Sequence, residues 1–118
     1  MKSTSTNFNT HLFTGEAAGQ IINYRVLKMQ DSIFIYIGKK DEEVLNGLAV
    51  GLLQPYNEKE AISTCILENK ESQDLAQKLT VRLKKPTFIS CNLNVDRLIA
   101  PIIEKHLIKE INEKPEFF

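Results

Sequence analysis

The sequence predicts an α+β fold, with about six strands in a mainly antiparallel sheet and two helices on one of its faces. Three observations carry this expectation. Residues 31–38, DSIFIYIG, are apolar on both alternating sides, with Ile33, Ile35 and Ile37 pointing one way and Phe34 and Tyr36 the other. Two later stretches repeat apolar residues at helical spacing. Between them, short β-branched and aromatic runs are punctuated by turn residues.

Taken in order, residues 1–7 are Ser, Thr, Asn and Lys around one Met, a composition that buries too little to hold itself, so a frayed tail is expected. Structure is expected from Phe8, with a weak strand through His11, Leu12 and Phe13, and residues 15–19, GEAAG, have the glycines of a turn. Ile21, Ile22, Tyr24 and Val26 mark a strand over residues 20–30. Gln30-Asp31-Ser32 supplies the turn that makes a hairpin with residues 33–38. Residues 41–53, DEEVLNGLAVGLL, fit either a helical stripe behind an Asp cap or a loop followed by a strand. Gly47 and Gly51 weaken the helix by about 1 kcal/mol each relative to Ala, which favours a strand over residues 47–53. Residues 54–59, QPYNEK, then read as a turn, and AISTCIL, residues 61–67, as the returning strand.

The clearest helix is expected to start near Ser72, a residue type that caps well, with Leu75, Ala76, Leu79 and Leu83 on one side. Glu71 and Asp74 near its start and Arg82, Lys84 and Lys85 near its end suit the helix dipole, and Pro86 stops it. TFISCNL, residues 87–93, reads as a sixth strand, and Asn94 as the cap of a final helix with Ile99, Ile102, Ile103, Leu107 and Ile111 on its apolar stripe. Pro101 implies either a kink or a regular part that begins there in the first-turn position, and Pro115 marks the other end.

The bulk properties bound the function. A chain of 118 residues, 42% hydrophobic and 25% charged, suits one domain over residues 1–118. Fifteen basic and fifteen acidic residues cancel, leaving no field to draw in phosphate backbones or anionic lipid, so neither nucleic acid nor membrane is an expected partner. The N-terminus lacks the apolar core of a secretory signal, and no apolar run approaches the roughly 18 residues of a membrane span, which suggests a cytoplasmic protein with access to the nucleus. Cys65 and Cys91, far apart and outside any CxxC pair, read as reduced, mostly buried thiols.

Hairpin parity answers why the central run is apolar on both sides. With a turn of even length, cross-strand partners sum to an odd number, so Tyr24, Val26, Lys28, Ile33, Ile35 and Ile37 share one face. Asn23, Arg25, Leu27, Met29, Phe34 and Tyr36 share the other. The first, more aliphatic face suits the two helices, which leaves the second for dimerisation, the alternative being a long N-terminal strand or loop of the same chain folded over it. Covering Leu27, Met29, Phe34 and Tyr36 fully is worth about 1.5 to 3 kcal/mol each, and these four are the expected partner interface.

No constellation for chemistry emerges. His11 and His106 lie apart in sequence and read as surface or half-buried histidines, Asp41, Glu42 and Glu43 solvate one loop, and GEAAG lacks the further glycines, Lys and helix of a phosphate cradle. The expectation is a protein that is not an enzyme and needs no metal or other cofactor.

Four stretches resemble a known family in order: RVLKMQDSIFIYIG (25–38), LNGLAV (45–50), LAQKLTVRLKKPTFISCNL (75–93) and IEKHLIKEINEKPEFF (103–118). Together they resemble the fourth proteasome assembly chaperone, with departures at residues 39–46 and at Pro101. The resemblance implies a non-catalytic chaperone that heterodimerises with the third proteasome assembly chaperone and promotes α-ring formation of the 20S core by meeting α-type subunits. It places the partner contact on Leu27, Met29, Phe34 and Tyr36; for the α-subunits the candidates are the loop 39–46 and Phe117 with Phe118, the favoured reading of the two aromatics being that they fold back over the helix end. In isolation the uncovered face leaves both a homodimer and a monomer open. A small dimerising longin- or roadblock-like trafficking adaptor is the alternative that the sheet-and-helix pattern allows.

Overall fold

A computed structural model describes residues 9–40, 47–54, 57–67, 70–93 and 99–118. The expected frayed N-terminus, the loop 41–46, Pro55 in a turn and Asn94 as a cap lie outside them. The chain runs β1 (Asn9–Ala17), β2 (Gln20–Lys28), β3 (Ile33–Lys39), β4 (Leu48–Gln54), β5 (Asn57–Leu67), α1 (Lys70–Leu83), β6 (Thr87–Cys91) and α2 (Ile99–Glu113), followed by a single 3-10 turn, Pro115–Phe117.

The six strands form one sheet in the order β1-β2-β3-β6-β4-β5. Every neighbouring pair is antiparallel except β3 with β6. The stretch 41–53 therefore ends as a strand. β6 returns after α1 to fill the slot between β3 and β4, so the last strand in the sequence is central in space. Each helix covers one half of the same face: α1 packs on β4, β5 and β6, and α2 lies against β1.

The first turn lies later than the glycines suggest. β1 continues through Gly15 to Ala17, and the reversal is made by Ala18 and Gly19, both left-handed at φ 52° and 77°. A two-residue turn of that hand matches the twist of the strands it joins. The β2–β3 hairpin has the expected even turn. Met29 N–H donates to Ser32 O at 2.9 Å, and the pairing runs from Lys28 with Ile33 to Ile22 with Lys39.

Helix α1 starts ahead of Ser72, which is buried within it rather than capping it. The Ser72 hydroxyl accepts the Cys91 N–H at 2.8 Å, tying helix to strand where periodicity had suggested a terminus. The helix closes with Lys84 at φ 59°, its N–H bonded to Thr80 O at 2.8 Å, two residues before Pro86. In α2, Pro101 is the third residue, inside the first turn, where an amide proton has no intrahelical partner to lose.

The core lies between the sheet and both helices. Ile22, Tyr24, Val26, Ile33, Ile35 and Ile37 line the sheet side, with Ile89 and Cys91 from β6. Leu75, Ala76 and Leu79 come from α1, and Ile103, Leu107 and Ile111 from α2. Phe118 completes the core from the tail. The parity argument thus assigns the aliphatic hairpin face to the helices correctly. At the sheet's far end, Asn92 donates its backbone N–H to Ile37 O (2.8 Å) and accepts the Gly47 N–H on Oδ1 (3.2 Å), while the Ser90 hydroxyl donates to Gly47 O (2.6 Å). This buried cluster joins the end of β3, the end of β6 and the approach to β4.

Candidate protein-binding face

The side of the sheet turned away from the helices carries a register that can be followed residue to residue. Thr10, Leu27, Phe34, Phe88, Val50 and Thr64 stand side by side across all six strands. The four apolar members are half-buried. A second row runs Leu12, Arg25, Tyr36, Ser90. Beyond these, Leu12 is 63% exposed, Ile21 46%, Leu52 42%, and Ile62 and Ile66 55% each. Large side chains exposed to this degree on one face form a patch rather than a scatter.

Three of the four sequence-predicted residues are brought together here. Leu27 and Phe34 are directly paired and half-buried. Tyr36 pairs with Arg25 and lays its ring over Gly38, where an added Cβ would fall 2.8 Å from Tyr36 Cε1. Met29 sits in the turn rather than in the strand, its sulfur 4.0 Å from the Ser32 hydroxyl, so it borders the face rather than filling it.

Sequence reasoning missed Phe88, Val50, Leu52, Ile62 and Ile66. The alternation was present, since Ala61 is buried and Ile62 exposed. What was absent from the sequence was that β6 lies beside β3 and β4 beside β6, which makes their outward residues one surface with Leu27 and Phe34.

The opposite face is sealed by a second cluster, which settles the two histidines. His106 on α2 faces β1 and β2. Burial holds its pKa below the ordinary value, Lys109 adding to this, and burial pushes the Tyr24 phenol well above its own, with Cys91 contributing. The neutral pair is therefore the stable state, and the Tyr24 hydroxyl donates to His106 Nδ1 at 2.7 Å. His11 Nε2 donates to Glu110 Oε2 at 2.7 Å, and Lys114 lies 3.6 Å from the same carboxylate oxygen. His11 stacks on Phe117, ring centroids 4.1 Å apart, and Phe13 on Tyr24 at 4.6 Å.

The C-terminal aromatics are held against the protein's own sheet. Phe118 is buried at 4% exposure, and Lys85 and Lys28 donate to the backbone oxygens of Phe118 and Glu116 at 2.7 and 3.0 Å. Desolvation, with Lys28 beside it, lowers the Lys85 pKa. Both histidines thus have packing partners. Among the described residues, no group of three or more His, Cys, Asp or Glu lies placed to hold a metal ion, and no described helix is long and apolar enough to cross a membrane.

Fold and site together define a class: a small α+β domain whose mixed sheet is layered with two helices on one side and, among the described residues, is broad, apolar and open on the other. The model of the proteasome assembly chaperone 4 family matches residues 21–93. Human proteasome assembly chaperone 4 is 30% identical over 112 residues, covering 92% of this chain and 89% of the relative. The mouse protein is 25% identical over 119 residues, covering 98% and 95%. Among solved structures, a chain from a chaperone complex for yeast 20S proteasome assembly superposes with a TM-score of 0.65 at 13% identity, over 94% of this chain and 97% of that one, a likeness of fold. The chain belongs to the proteasome assembly chaperone 4 family.

Proposed function

We propose that this chain is a non-catalytic proteasome assembly chaperone that pairs through its open sheet face with the third proteasome assembly chaperone, the pair promoting formation of the 20S α-ring. The observation that carries the reading is the apolar row Leu27, Phe34, Phe88, Val50 together with Leu52, Ile62 and Ile66, on the side the helices leave bare. Removing the remaining exposed half of each large side chain from water is worth about 1 kcal/mol. Summed over such a face, this is comparable with the roughly 4 to 15 kcal/mol that association costs, so a partner must meet the whole sheet rather than one hairpin. Family membership supports the assembly role, and the solved likeness is itself a component of a chaperone complex.

Such a chaperone needs no nucleotide, because binding the assembling state better than its competitors is sufficient to bias assembly. The pair would act in the cytoplasm or nucleus, wherever α-subunits gather. Since Phe117 and Phe118 are engaged by the chain's own sheet, contacts with α-subunits fall on other surfaces. The test is co-expression with the third-chaperone homologue followed by size-exclusion chromatography with light scattering. A one-to-one complex that retains α-subunits, and that Phe34→Asp or Phe88→Asp abolishes, is expected. A wild-type chain that folds but recovers neither partner nor α-subunits overturns the proposal.

A further inference from the structure

The open face is apolar but not neutral. The four inner strands, β2, β3, β6 and β4, contain no Asp or Glu, and the acidic strand residues are confined to the two edge strands, Glu16 on β1 and Glu58 and Glu60 on β5. The same inner strands carry Lys28, Lys39 and Arg25. Lys28 and Lys39 pair with Ile33 and Ile22 and so belong to the helix side, where Lys28 reaches the tail. Arg25 alone lies on the open side. It is exposed, between Leu12 and Tyr36 and one residue from the apolar row.

Resting on the heterodimer reading above, we propose that Arg25 is the specificity determinant of this face: it selects a partner sheet that presents a carboxylate opposite it and rejects a second copy of this chain. A sheet laid over the patch takes the guanidinium out of water. Desolvating a cation without an acceptor is unfavourable, whereas a carboxylate meets it with paired, charge-assisted hydrogen bonds. The guanidinium carries five donors in a planar fork, so contacts within its own chain still leave donors for a partner. The inner strands of a second copy carry no Asp or Glu, so a copy centred on the apolar row sets no strand carboxylate opposite Arg25. The apolar rows supply affinity for any flat apolar face, and Arg25 discriminates among them. Of the two states the sequence leaves open for the isolated chain, the homodimer is thereby disfavoured.

The test compares wild type with Arg25→Glu and Arg25→Leu. Arg25 is exposed, so both variants should melt with wild type, which is checked first. Titrated with the third-chaperone homologue, Arg25→Leu should bind at least about 30-fold and Arg25→Glu at least about 100-fold more weakly, as for loss or reversal of one member of an interfacial charge pair. In sedimentation of the chain alone, Arg25→Leu should dimerise at least about tenfold more tightly than wild type. Wild-type binding that Arg25→Glu leaves within threefold, or wild-type self-association as tight as that of Arg25→Leu, overturns the inference alone. If wild type fails to bind the homologue, the heterodimer reading falls, while the sedimentation arm still decides whether Arg25 opposes self-pairing.

Discussion

Replacing Gly15 by Ala should destabilise the protein far more than a glycine-to-alanine change in an edge strand ordinarily does. Gly15 lies mid-strand in β1, opposite Ile22. A Cβ there would stand 2.5 Å from His106 Cε1 and Nδ1 and 3.0 Å from Cγ. Relief requires the imidazole to retreat by about 1 Å to reach ordinary carbon contact distances. The ring is held by the Tyr24 hydroxyl, 2.7 Å from the same Nδ1, in an edge-on arrangement with interplanar angle 90°, so a shift of that size disrupts the bond. Overpacking costs about 1 to 3 kcal/mol and a buried phenol deprived of its acceptor about the same. Alanine restricts the unfolded chain and returns about 0.4 to 1 kcal/mol, leaving a net loss of about 1 to 5 kcal/mol. For a domain of this size each kcal/mol lowers the melting temperature by about 4 °C, so a drop of about 4 to 20 °C is expected. The assay is thermal and urea unfolding in a double-mutant cycle with His106→Ala, in whose background Gly15→Ala should cost nothing or stabilise slightly. An equal cost in both backgrounds would refute the reasoning, because the penalty would then come from the strand rather than the ring.

Three further outcomes follow from the same geometry. His106 has a folded pKa below its unfolded value, so the unfolded chain binds the extra proton first; stability should fall as pH drops below about 6.5, and urea titrations at several pH values should show this slope reduced in His106→Ala. Asn92→Ala removes the acceptor of the buried Gly47 N–H and the side-chain donor facing Ile37 O and both Ser90 oxygens, for an expected loss of about 2 to 3 kcal/mol in urea unfolding. Phe118→Ala should cost about 2 to 4 kcal/mol while leaving the open face untouched, so a stabilised background carrying it should still bind the partner chaperone, measured by titration.

Where local chemistry was sufficient, the sequence was readable. The Asp31-Ser32 turn set the parity of the hairpin and so divided Ile33, Ile35 and Ile37 from Phe34 and Tyr36. The stripes at Leu75, Ala76 and Leu79 and at Ile103, Leu107 and Ile111 named the buried sides of both helices. Local signals misled where tertiary contact reassigned a residue. Gly15 looked like a turn glycine and instead makes room for His106, while Ser72 looked like a cap and instead accepts from Cys91. The same holds for the candidate site: Leu27, Phe34 and Tyr36 were legible from one hairpin, and Phe88, Val50, Leu52, Ile62 and Ile66 were not.

By itself, then, the sequence determined the period of each segment and hence which side chains share a face, because φ/ψ preference, side-chain alternation and turn chemistry act over a few residues. The tertiary structure alone decided the strand order. The slot between β3 and β4 is filled by β6 only after the chain has gone through β4, β5 and α1, and that choice depends on closing a common core under both helices rather than on any local preference. By bringing Phe88 beside Phe34 and Val50 beside Phe88, it turned scattered alternating residues into one continuous apolar surface with Arg25 beside it.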